Sequence, residues 1–348
     1  MPAADDVVVV TDDGLYCPAG GFHIDPWRPV ERAVITHAHS DHARGGSRHY
    51  IATKGTIAIM RSRIGEAMND AQTITPGYGE SLKLGDVRVS LHPAGHVLGS
   101  AQVRIEPDSG PTWVITGDYK VAPDPTCEPF ELVPCDVFVT ESTFALPVFR
   151  WEPDEAVFES INAWRAHNAR EGRTSVLLAY ALGKAQRVLA GLDPGVGPIG
   201  LHGAVRNVCD VYRNFGRAFP ETVHASADSA DQLRGVGTII APPSAAAGPW
   251  IRRFAGSEGI ATTMVSGWMT IRGRRRWRAV DTGFVLSDHA DWAGVLDTIE
   301  KTGARRVLAT HGYASQLARY LREERGLDAG VLPTRFGDAE DDAPDDHA

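Results

Sequence analysis

The stretch Thr36-His-Ala-His-Ser-Asp-His42, written THAHSDH at residues 36–42, places three histidines and one aspartate within seven positions. The whole chain has 348 residues but only 13 histidines, so this local concentration of imidazole groups indicates a functional site. His37 and His39 follow the β-branched segment AVIT, and alternate residues of an extended segment share a side. They can therefore hold one metal ion, while Asp41 and His42 lie in the following turn and can face a second. The alternative is a histidine-rich surface loop that only makes hydrogen bonds.

Three further stretches each offer a donor where a predicted strand meets a loop. They are PAGHVLGS with His96, VITGDYK with Asp118 and VLATHGY with His311. Strand ends bring side chains to one edge of a sheet, which is where sites usually form. Imidazole and carboxylate donors without sulfur suit zinc or manganese. The four cysteines have no C-x-x-C spacing, which argues against a thiolate site: Cys17, Cys127, Cys135 and Cys209.

The composition is that of a globular protein outside the membrane. Hydrophobic residues make up 43% of the chain, yet no apolar run approaches the roughly 18 residues of a membrane span. The start, MPAADDVVVV, lacks the basic flank of a signal peptide, so we expect a cytoplasmic protein with no membrane partner. The net charge is −9, and six acids without any Lys or Arg fall in residues 338–348. We expect that segment to be a disordered acidic tail.

The order of predicted elements changes near residue 150. Before it, short β-branched stretches such as VRVSL at 87–91 and AQVRIE at 101–106 predict a sheet-rich and largely antiparallel part. After it, strands alternate with helical segments, which predicts a smaller parallel α/β unit. The last stretch returns to helix, strand, helix.

Two basic features are candidate phosphate contacts. The segment IRGRRRWRA at 271–279 carries five arginines around Trp277, and such a cluster can bind nucleic acid; a solvated hairpin tip is the alternative. Lys184 follows Gly183 at a predicted strand-to-helix turn, where backbone N–H groups favour phosphate, although glycine also occurs there for steric reasons alone. Trp268 and Trp277 are candidates for stacking on a nucleobase. The predicted nucleic-acid contacts are Lys184, Arg272, Arg274, Arg275 and Arg276.

These motifs resemble metallo-β-lactamase-fold hydrolases of the β-CASP nuclease group over nearly the whole chain. The H-x-H-x-D-H signature of the fold corresponds to His37, His39, Asp41 and His42. The later histidine and aspartate of the fold fall on His96 and Asp118, and Asp25 in FHIDPW matches the aspartate that orients the site. Three markers of the nuclease group match Glu141 in VTEST, His289 in LSDHAD and His311 in ATHG.

The resemblance implies an α/β fold, a four-layer αββα sandwich with an inserted α/β cap. We expect the first part of the sandwich at 1–145, the β-CASP cap at 146–285, the second part at 286–337 and the tail at 338–348. It also implies two divalent metal ions, zinc or manganese. Site one would use His37, His39, His96 and Asp118, and site two would use Asp41, His42, His311 and Asp118 again.

By the same resemblance, Asp25, Asp118, Glu141 and His289 are the expected catalytic residues. His289 would contact the scissile phosphate or protonate the departing sugar oxygen, and Glu141 would hold its tautomer. The stretches LLAYALGKAQRVL, SGWM and DHADWAGVL resemble bacterial DNA ligase-associated exonucleases, relatives of Artemis and of the pre-mRNA 3′-end endonuclease. The expected function is therefore a DNA exonuclease in repair, with an ATP-dependent DNA ligase and a helicase as partners.

Three alternatives stay open. An RNA-processing nuclease of the same fold is favoured by His311, because RNA-acting members carry histidine where DNA-acting members carry valine. A small-molecule hydrolase, such as a thioesterase or lactonase, has no evident use for so long an inserted segment. A binding scaffold without catalysis would lack ligands, and here none is missing.

Overall fold

The computed structural model describes residues 6–271 and 280–334. The predicted contacts Arg272, Arg274, Arg275 and Arg276, together with Trp277 and the tail at 338–348, lie outside these residues. The described residues form two compact units. The first unit comprises residues 6–150 and 289–334, and the second comprises 151–271 and 280–288. The sequence placed the inserted segment at 146–285, a few residues away from these limits.

The first unit contains two mixed sheets. In the first sheet the strands lie in chain order: β1 Val9–Thr11, β2 Gly14–Cys17, β3 Phe22–Ile24, β4 Arg32–Val34, β5 His49–Ile51 and β6 Gln72–Ile74. Strands β1 to β3 are antiparallel, but β3 to β6 are parallel. The prediction of a largely antiparallel region was therefore wrong for this half of the sheet. Helix α1, Lys54–Ile64, lies in the crossover between the parallel neighbours β5 and β6, the usual kind of connection for such a pair.

The second sheet has the order β19-β18-β11-β10-β9-β8-β7. Its strands are β7 Ser81–Leu84, β8 Val87–Pro93, β9 Ala101–Pro107, β10 Trp113–Ile115, β11 Val137–Glu141, β18 Arg306–Thr310 and β19 Asp328–Val331. Strands β7 to β10 are antiparallel. Strands β10, β11, β18 and β19 are parallel, so their carboxyl ends lie at one edge. That edge carries several of the predicted donors.

One hydrophobic core joins the two sheets. Phe22 and Ile24 of the first sheet belong to the same buried cluster as Val89, Val103 and Trp113 of the second. The alternation that predicted a half-buried strand at 87–91 is present in part: Val87, Val89 and Leu91 lie in this core and Arg88 is exposed, but Ser90 is also buried.

The opposite face of the second sheet is covered by helices α6, Trp292–Thr302, and α7, Ala314–Arg325. Val295 and Leu317 of these helices share a buried cluster with Val114 and Phe138 of the sheet. The first unit is therefore a mixed α/β structure in which two sheets and a helical layer share buried cores.

The second unit is built on one six-stranded sheet of order β14-β13-β15-β12-β16-β17. Its strands are β12 Thr174–Leu178, β13 Ile199–Leu201, β14 Val223–His224, β15 Thr238–Ala241, β16 Ile260–Val265 and β17 Thr282–Phe284. Every pairing among these described strands is parallel, as predicted from the alternation of strands and helices. The helices are α2 Asp154–Arg170, α3 Lys184–Ala190, α4 Gly203–Asn214 and α5 Ala230–Leu233. Short 3-10 segments of the chain are Gly65–Met68, Pro194–Val196, Pro243–Ala247, Pro249–Phe254 and Gly267–Thr270.

Among the described residues, none of the helices combines the length and the apolar character needed to cross a membrane.

Candidate metal centre

The seven predicted metal donors come from loops that follow strands of both sheets in the first unit. The stretch 36–42 follows β4, and His96 follows β8. Asp118 follows β10, and His311 follows β18 directly. The fold brings these loops together, and the donors form two adjoining groups. Their role as metal ligands stays a prediction, but their convergence is a finding.

The first group consists of His37, His39, His96 and Asp118. One ligand atom of each lies within 4.8 Å of the others, a spacing that a single metal ion can bridge. Nε2 of His37 lies 3.4 Å from Oδ2 of Asp118, and Nε2 of His96 lies 3.7 Å from the same oxygen. Nδ1 of His39 faces Nε2 of His96 at 3.1 Å. These four residues are the ones that were predicted for site one.

The second group consists of Asp41, His42 and His311, again with ligand atoms within 4.8 Å of one another. Asp118 turns its other oxygen towards this group. Oδ1 lies 3.7 Å from Nε2 of His42 and 3.9 Å from Nδ1 of His311. The two oxygens of one carboxylate thus face two separate donor groups, which is the geometry expected of a bridging residue.

A third group joins Asp118 to Glu141 and His289. Nδ1 of His289 lies 2.8 Å from Oε2 of Glu141. The carboxylate also accepts hydrogen bonds from the backbone N–H of Tyr119 at 2.7 Å and from the hydroxyl of Thr143 at 2.6 Å. Glu141 is therefore held on both oxygens, and it orients the ring of His289 with Nε2 directed away from it.

Asp25 supports the same site from the end of β3. Its carboxylate accepts hydrogen bonds from the backbone N–H of Thr36 at 2.8 Å and from the Thr36 hydroxyl at 2.6 Å. Nδ1 of His42 lies 2.7 Å from Oδ2 of Asp25, so the N–H donates to the carboxylate and Nε2 faces the second group. Asp25 has a φ of 44°, in the left-handed region that costs a residue other than glycine free energy. The predicted orienting role agrees with these contacts.

Orphaned polar atoms indicate that the site fits a pair of cations. Among the described residues, the buried atoms without a hydrogen-bonding partner include Nε2 of His37, Nε2 of His42 and Oδ1 of Asp118. Buried polar groups are normally satisfied, because an unpaired one loses its hydration without compensation. All three orphaned atoms point into the two donor groups, where a divalent ion would supply the missing partner.

The electrostatics of the site set the protonation states of its donors. Burial, with the nearby His42 charge, lowers the pKa of His37 well below its ordinary value, so its imidazole is neutral and can act as a ligand. Burial opposes protonation of His42, but the carboxylates of Asp41, Asp118 and Asp25 outweigh it and raise its pKa to about 10. Burial alone would raise the pKa of Asp118, yet the His42 charge and the adjacent imidazoles of His311 and His37 hold it well below its ordinary value.

The second group is reached through a cleft of the first unit. Asp41, His42 and His311 line it together with Trp27 and Thr334. In this cleft Asp41 and His311 are partly exposed, whereas His42 is buried.

Several residues that organise the site were missed by the sequence analysis. The hydroxyl of Ser100 accepts the backbone N–H of His96 at 3.1 Å. The guanidinium of Arg63 donates to the carbonyl of Ala38 at 2.5 Å, between two predicted ligands. Ser142 and Thr143 stand beside Glu141 in the VTEST motif, and their hydroxyl groups were the available signal. Arg63 comes from α1 and carried no local signal at all.

Two predicted nucleic-acid contacts are placed differently from expectation. Lys184 is only 4% exposed, and its Nζ lies 2.9 Å from Oδ2 of Asp288. Its charge is already compensated within the second unit, and it belongs to a buried ion cluster with Arg187. Both features count against a phosphate contact by Lys184, and the predicted contact stays a prediction. Trp268 is 4% exposed and part of the core, so it does not offer a face to a base.

No family model matches the chain. Comparisons with individual proteins do find relatives. A probable DNA ligase from Opitutus terrae is 34% identical over 319 residues, which are 92% of this chain and 30% of that protein. Transcription termination factor FttA from Pyrococcus horikoshii is 35% identical over 130 residues, covering 35% of this chain and 19% of the relative. Endoribonuclease YSH1 from Gibberella zeae is 34% identical over 121 residues, covering 33% and 14%. The chain thus spans less than a third of the length of these relatives.

One solved structure, a protein of unknown function from Enterococcus faecalis V583, has a similar fold. It superposes with a TM-score of 0.55 over 88% of this chain and 80% of its own, at 12% sequence identity. At that identity the likeness concerns the fold alone.

Proposed function

Because this chain belongs to the β-CASP group of metallo-β-lactamase-fold nucleases, we propose that it cleaves phosphodiester bonds of DNA as a two-metal exonuclease in repair. The observation that carries the proposal is the position of Asp118. Its Oδ2 lies 3.4 Å from Nε2 of His37, and its Oδ1 lies 3.9 Å from Nδ1 of His311. A carboxylate shared between two imidazole groups suits a pair of divalent ions.

His37, His39, His96 and Asp118 would hold the first ion, and Asp41, His42, His311 and Asp118 would hold the second. The donors contain no sulfur, which supports zinc or manganese. Two bound divalent ions would activate a water molecule and stabilise the negative charge of a phosphodiester during cleavage. The protein contributes the spacing of the donors. His37 is already neutral, and His42 would give up its proton on binding the second ion.

His289 would act on the departing sugar oxygen. Its Nδ1 is engaged by Glu141 at 2.8 Å, so the opposite nitrogen is the one that can contact the phosphate or deliver a proton. Glu141 is itself held by Tyr119 and Thr143 and would fix the ring and its tautomer rather than react. Asp25 would do the same for His42.

Nucleic acid is favoured over a small molecule by the second unit and by the relatives. A compact α/β unit is inserted before His289, and we propose that it is the β-CASP cap of a four-layer αββα sandwich formed by the first unit. A protein named a probable DNA ligase aligns with 92% of this chain, which supports DNA ends as the substrate. A DNA ligase and a helicase would be its partners, and we expect the reaction in the cytoplasm. A thioesterase or lactonase has no use for a cap of this length.

RNA processing is the second candidate. Relatives named endoribonuclease YSH1 and transcription termination factor FttA support it, as does the histidine at position 311. Both candidates use the same donors and the same cleavage chemistry. They differ only in the strand that is accepted, which a protein can distinguish by the 2′-hydroxyl.

The deciding experiment is digestion of matched, end-labelled DNA and RNA, single- and double-stranded, with zinc or manganese supplied in turn. We expect stepwise shortening of DNA from one end, and the label position gives the polarity. Asp118→Asn, purified in parallel, controls for contaminating nucleases. Preferential cleavage of RNA would replace the DNA proposal by the second candidate, and no cleavage of either polymer by a metal-loaded protein would refute both.

A further inference from the structure

His311 holds an unusual backbone conformation. Its φ is 55°, in the left-handed region, and it is one of only two described residues other than glycine with a positive φ. The other is Asp25 in the same site. A residue with a β-carbon adopts this region only when its surroundings hold it there. Something next to His311 must therefore stabilise the conformation that directs its ring at the second donor group.

Ser142 lies where it can stabilise the left-handed conformation of His311. Strands β11 and β18 are parallel neighbours, and Glu141 pairs with Thr310 at their ends. The chains leaving both strands consequently run side by side, and Ser142 comes to lie against His311. Its side chain is fully buried.

The hydrogen bonds of Ser142 bracket the strained turn. Its hydroxyl lies 3.0 Å from the carbonyl oxygen of Thr310 and is also in hydrogen-bond contact with the carbonyl oxygen of His311. Its own carbonyl accepts the backbone N–H of Tyr313 at 2.9 Å. One serine thus contacts the backbone before, at and after the left-handed turn of 311–312. A hydroxyl shared between two consecutive carbonyls fixes the peptide between them.

The close approach depends on Gly312. A β-carbon there would lie 2.6 Å from the carbonyl oxygen of Ser142 and 2.5 Å from Cα of Thr143, closer than real contacts allow. The two segments are therefore packed backbone to backbone. The packing holds His311 with its Nδ1 3.9 Å from Oδ1 of Asp118 and its ring centroid 5.1 Å from that of His42.

We propose that Ser142 is a positioning residue for the second metal ion, because its hydroxyl holds the left-handed backbone that presents His311 to Asp41, His42 and Asp118. The proposal deepens the two-metal function and rests on it for the identity of the ligand. Ser142 touches neither ion nor substrate. Residues behind a ligand typically change metal affinity about 10- to 100-fold when removed.

The test compares Ser142→Ala with Ser142→Thr, which keeps the hydroxyl, and with Ser90→Ala. Ser90 is a buried serine of the same sheet whose hydroxyl lies 3.0 Å from Nε2 of His92. Each protein is stripped with a chelator and titrated with zinc alone in a calorimeter. Visible absorption of the cobalt-substituted protein reports the coordination of each ion separately. Thermal unfolding of the metal-free proteins measures the purely structural cost.

For Ser142→Ala we expect a second ion bound about 10- to 100-fold more weakly and an unchanged first ion. Ser142→Thr should recover most of this affinity, and Ser90→Ala should bind both ions like the wild type. If Ser142→Ala does not fold, Ser142→Cys, of similar size but with a weak donor, carries the same comparison. Wild-type affinity for both ions in Ser142→Ala, or an equal loss in Ser90→Ala, would overturn the proposal.

These titrations do not use nuclease activity. A wild-type protein that binds two ions and cleaves no nucleic acid would refute the proposed function but leave the role of Ser142 to be decided by the affinities.

Discussion

Nδ1 of His289 lies 2.8 Å from Oε2 of Glu141, although 148 residues separate the two side chains in the chain. The carboxylate has two further donors, so it cannot easily turn away from the ring. The contact brings a histidine that follows the second unit back to a glutamate that precedes it. It joins Glu141 and His289 directly, and it leads to the first prediction.

Replacing His289 by alanine should lower the cleavage rate roughly 100- to 10,000-fold, the usual loss when a general acid is removed. Glu141→Gln should lower the cleavage rate less, because the His289 ring remains but is held in the wrong tautomer. If Glu141 acts through His289, the double variant should be no slower than His289→Ala alone. Single-turnover rates on end-labelled DNA measure all three. Additive losses, or metal content below that of the wild type in His289→Ala, would contradict these roles.

Asp118→Asn should remove both ions, since the amide offers a single oxygen where two groups share a carboxylate. We expect about two ions per chain in the wild type and none in the variant after dialysis, measured by elemental analysis. Asp124→Asn is the control, because Asp124 is a buried aspartate of the same unit that accepts from Thr126 at 2.8 Å. Full metal occupancy in Asp118→Asn would disprove the shared-carboxylate arrangement.

His311→Ala and His96→Ala should each affect one ion. His311 belongs only to the second donor group and His96 only to the first. In a zinc titration, each variant should therefore lose one of the two binding steps. The step lost in His311→Ala should be the one that His96→Ala keeps. Loss of the same step in both would mean that the two groups form one site.

Binding of the second ion should release about one proton near neutral pH. In the metal-free protein, the pKa of His42 is raised to about 10, because three carboxylates outweigh the effect of burial. Its Nε2 therefore carries a proton that the metal must displace, and affinity should rise about tenfold per pH unit below that value. Calorimetry in buffers of different ionisation enthalpy counts the protons. The first ion serves as the internal control, since His37 is already neutral.

The raised pKa of His42 also affects the stability of the folded protein. A histidine whose pKa rises on folding stabilises the folded state fully below its unfolded value of about 6.5. The metal-free protein should lose that contribution as the pH rises through about 10. Metal-loaded protein, in which His42 is a neutral ligand, should show a much smaller loss in thermal unfolding over this range. If the thermal stability of the metal-free and the metal-loaded protein fell equally with rising pH, His42 would be neutral without metal.

Lys184→Met should destabilise the protein rather than weaken DNA binding. The lysine forms a buried pair with Asp288, and removing one partner of such a pair costs about 3 kcal/mol or more. Lys301→Met is the matched control: its pair with Asp297 is 60% and 51% exposed and should contribute about 0–1 kcal/mol. Urea unfolding measures the stability, and DNA affinity at several salt concentrations measures the binding. A drop in affinity with a shallower salt dependence and unchanged stability would restore the phosphate-contact prediction.

Most of the site could be predicted because its donors are local motifs. His37, His39, Asp41 and His42 lie within a single stretch, and each later donor stands in the loop that follows a strand. What was missed lacks such a pattern. Arg63 reaches Ala38 from a helix 25 residues away, and no spacing rule connects them. The ion pair of Lys184 was missed for the same reason, because a lysine at a helix start is normally solvated unless a distant acid such as Asp288 meets it.

The sequence by itself determined the donor chemistry, the strands that end at each donor and the change of architecture near residue 150, because these depend on residue type and short-range periodicity. Only the tertiary structure decided that the two oxygens of Asp118 face different groups, that the Ser142 hydroxyl contacts the backbone at His311 and that Lys184 is buried against Asp288. Each of these depends on pairing between strands or helices far apart in the chain. Such pairing is set by the packing of whole cores and leaves no trace in any single stretch of residues.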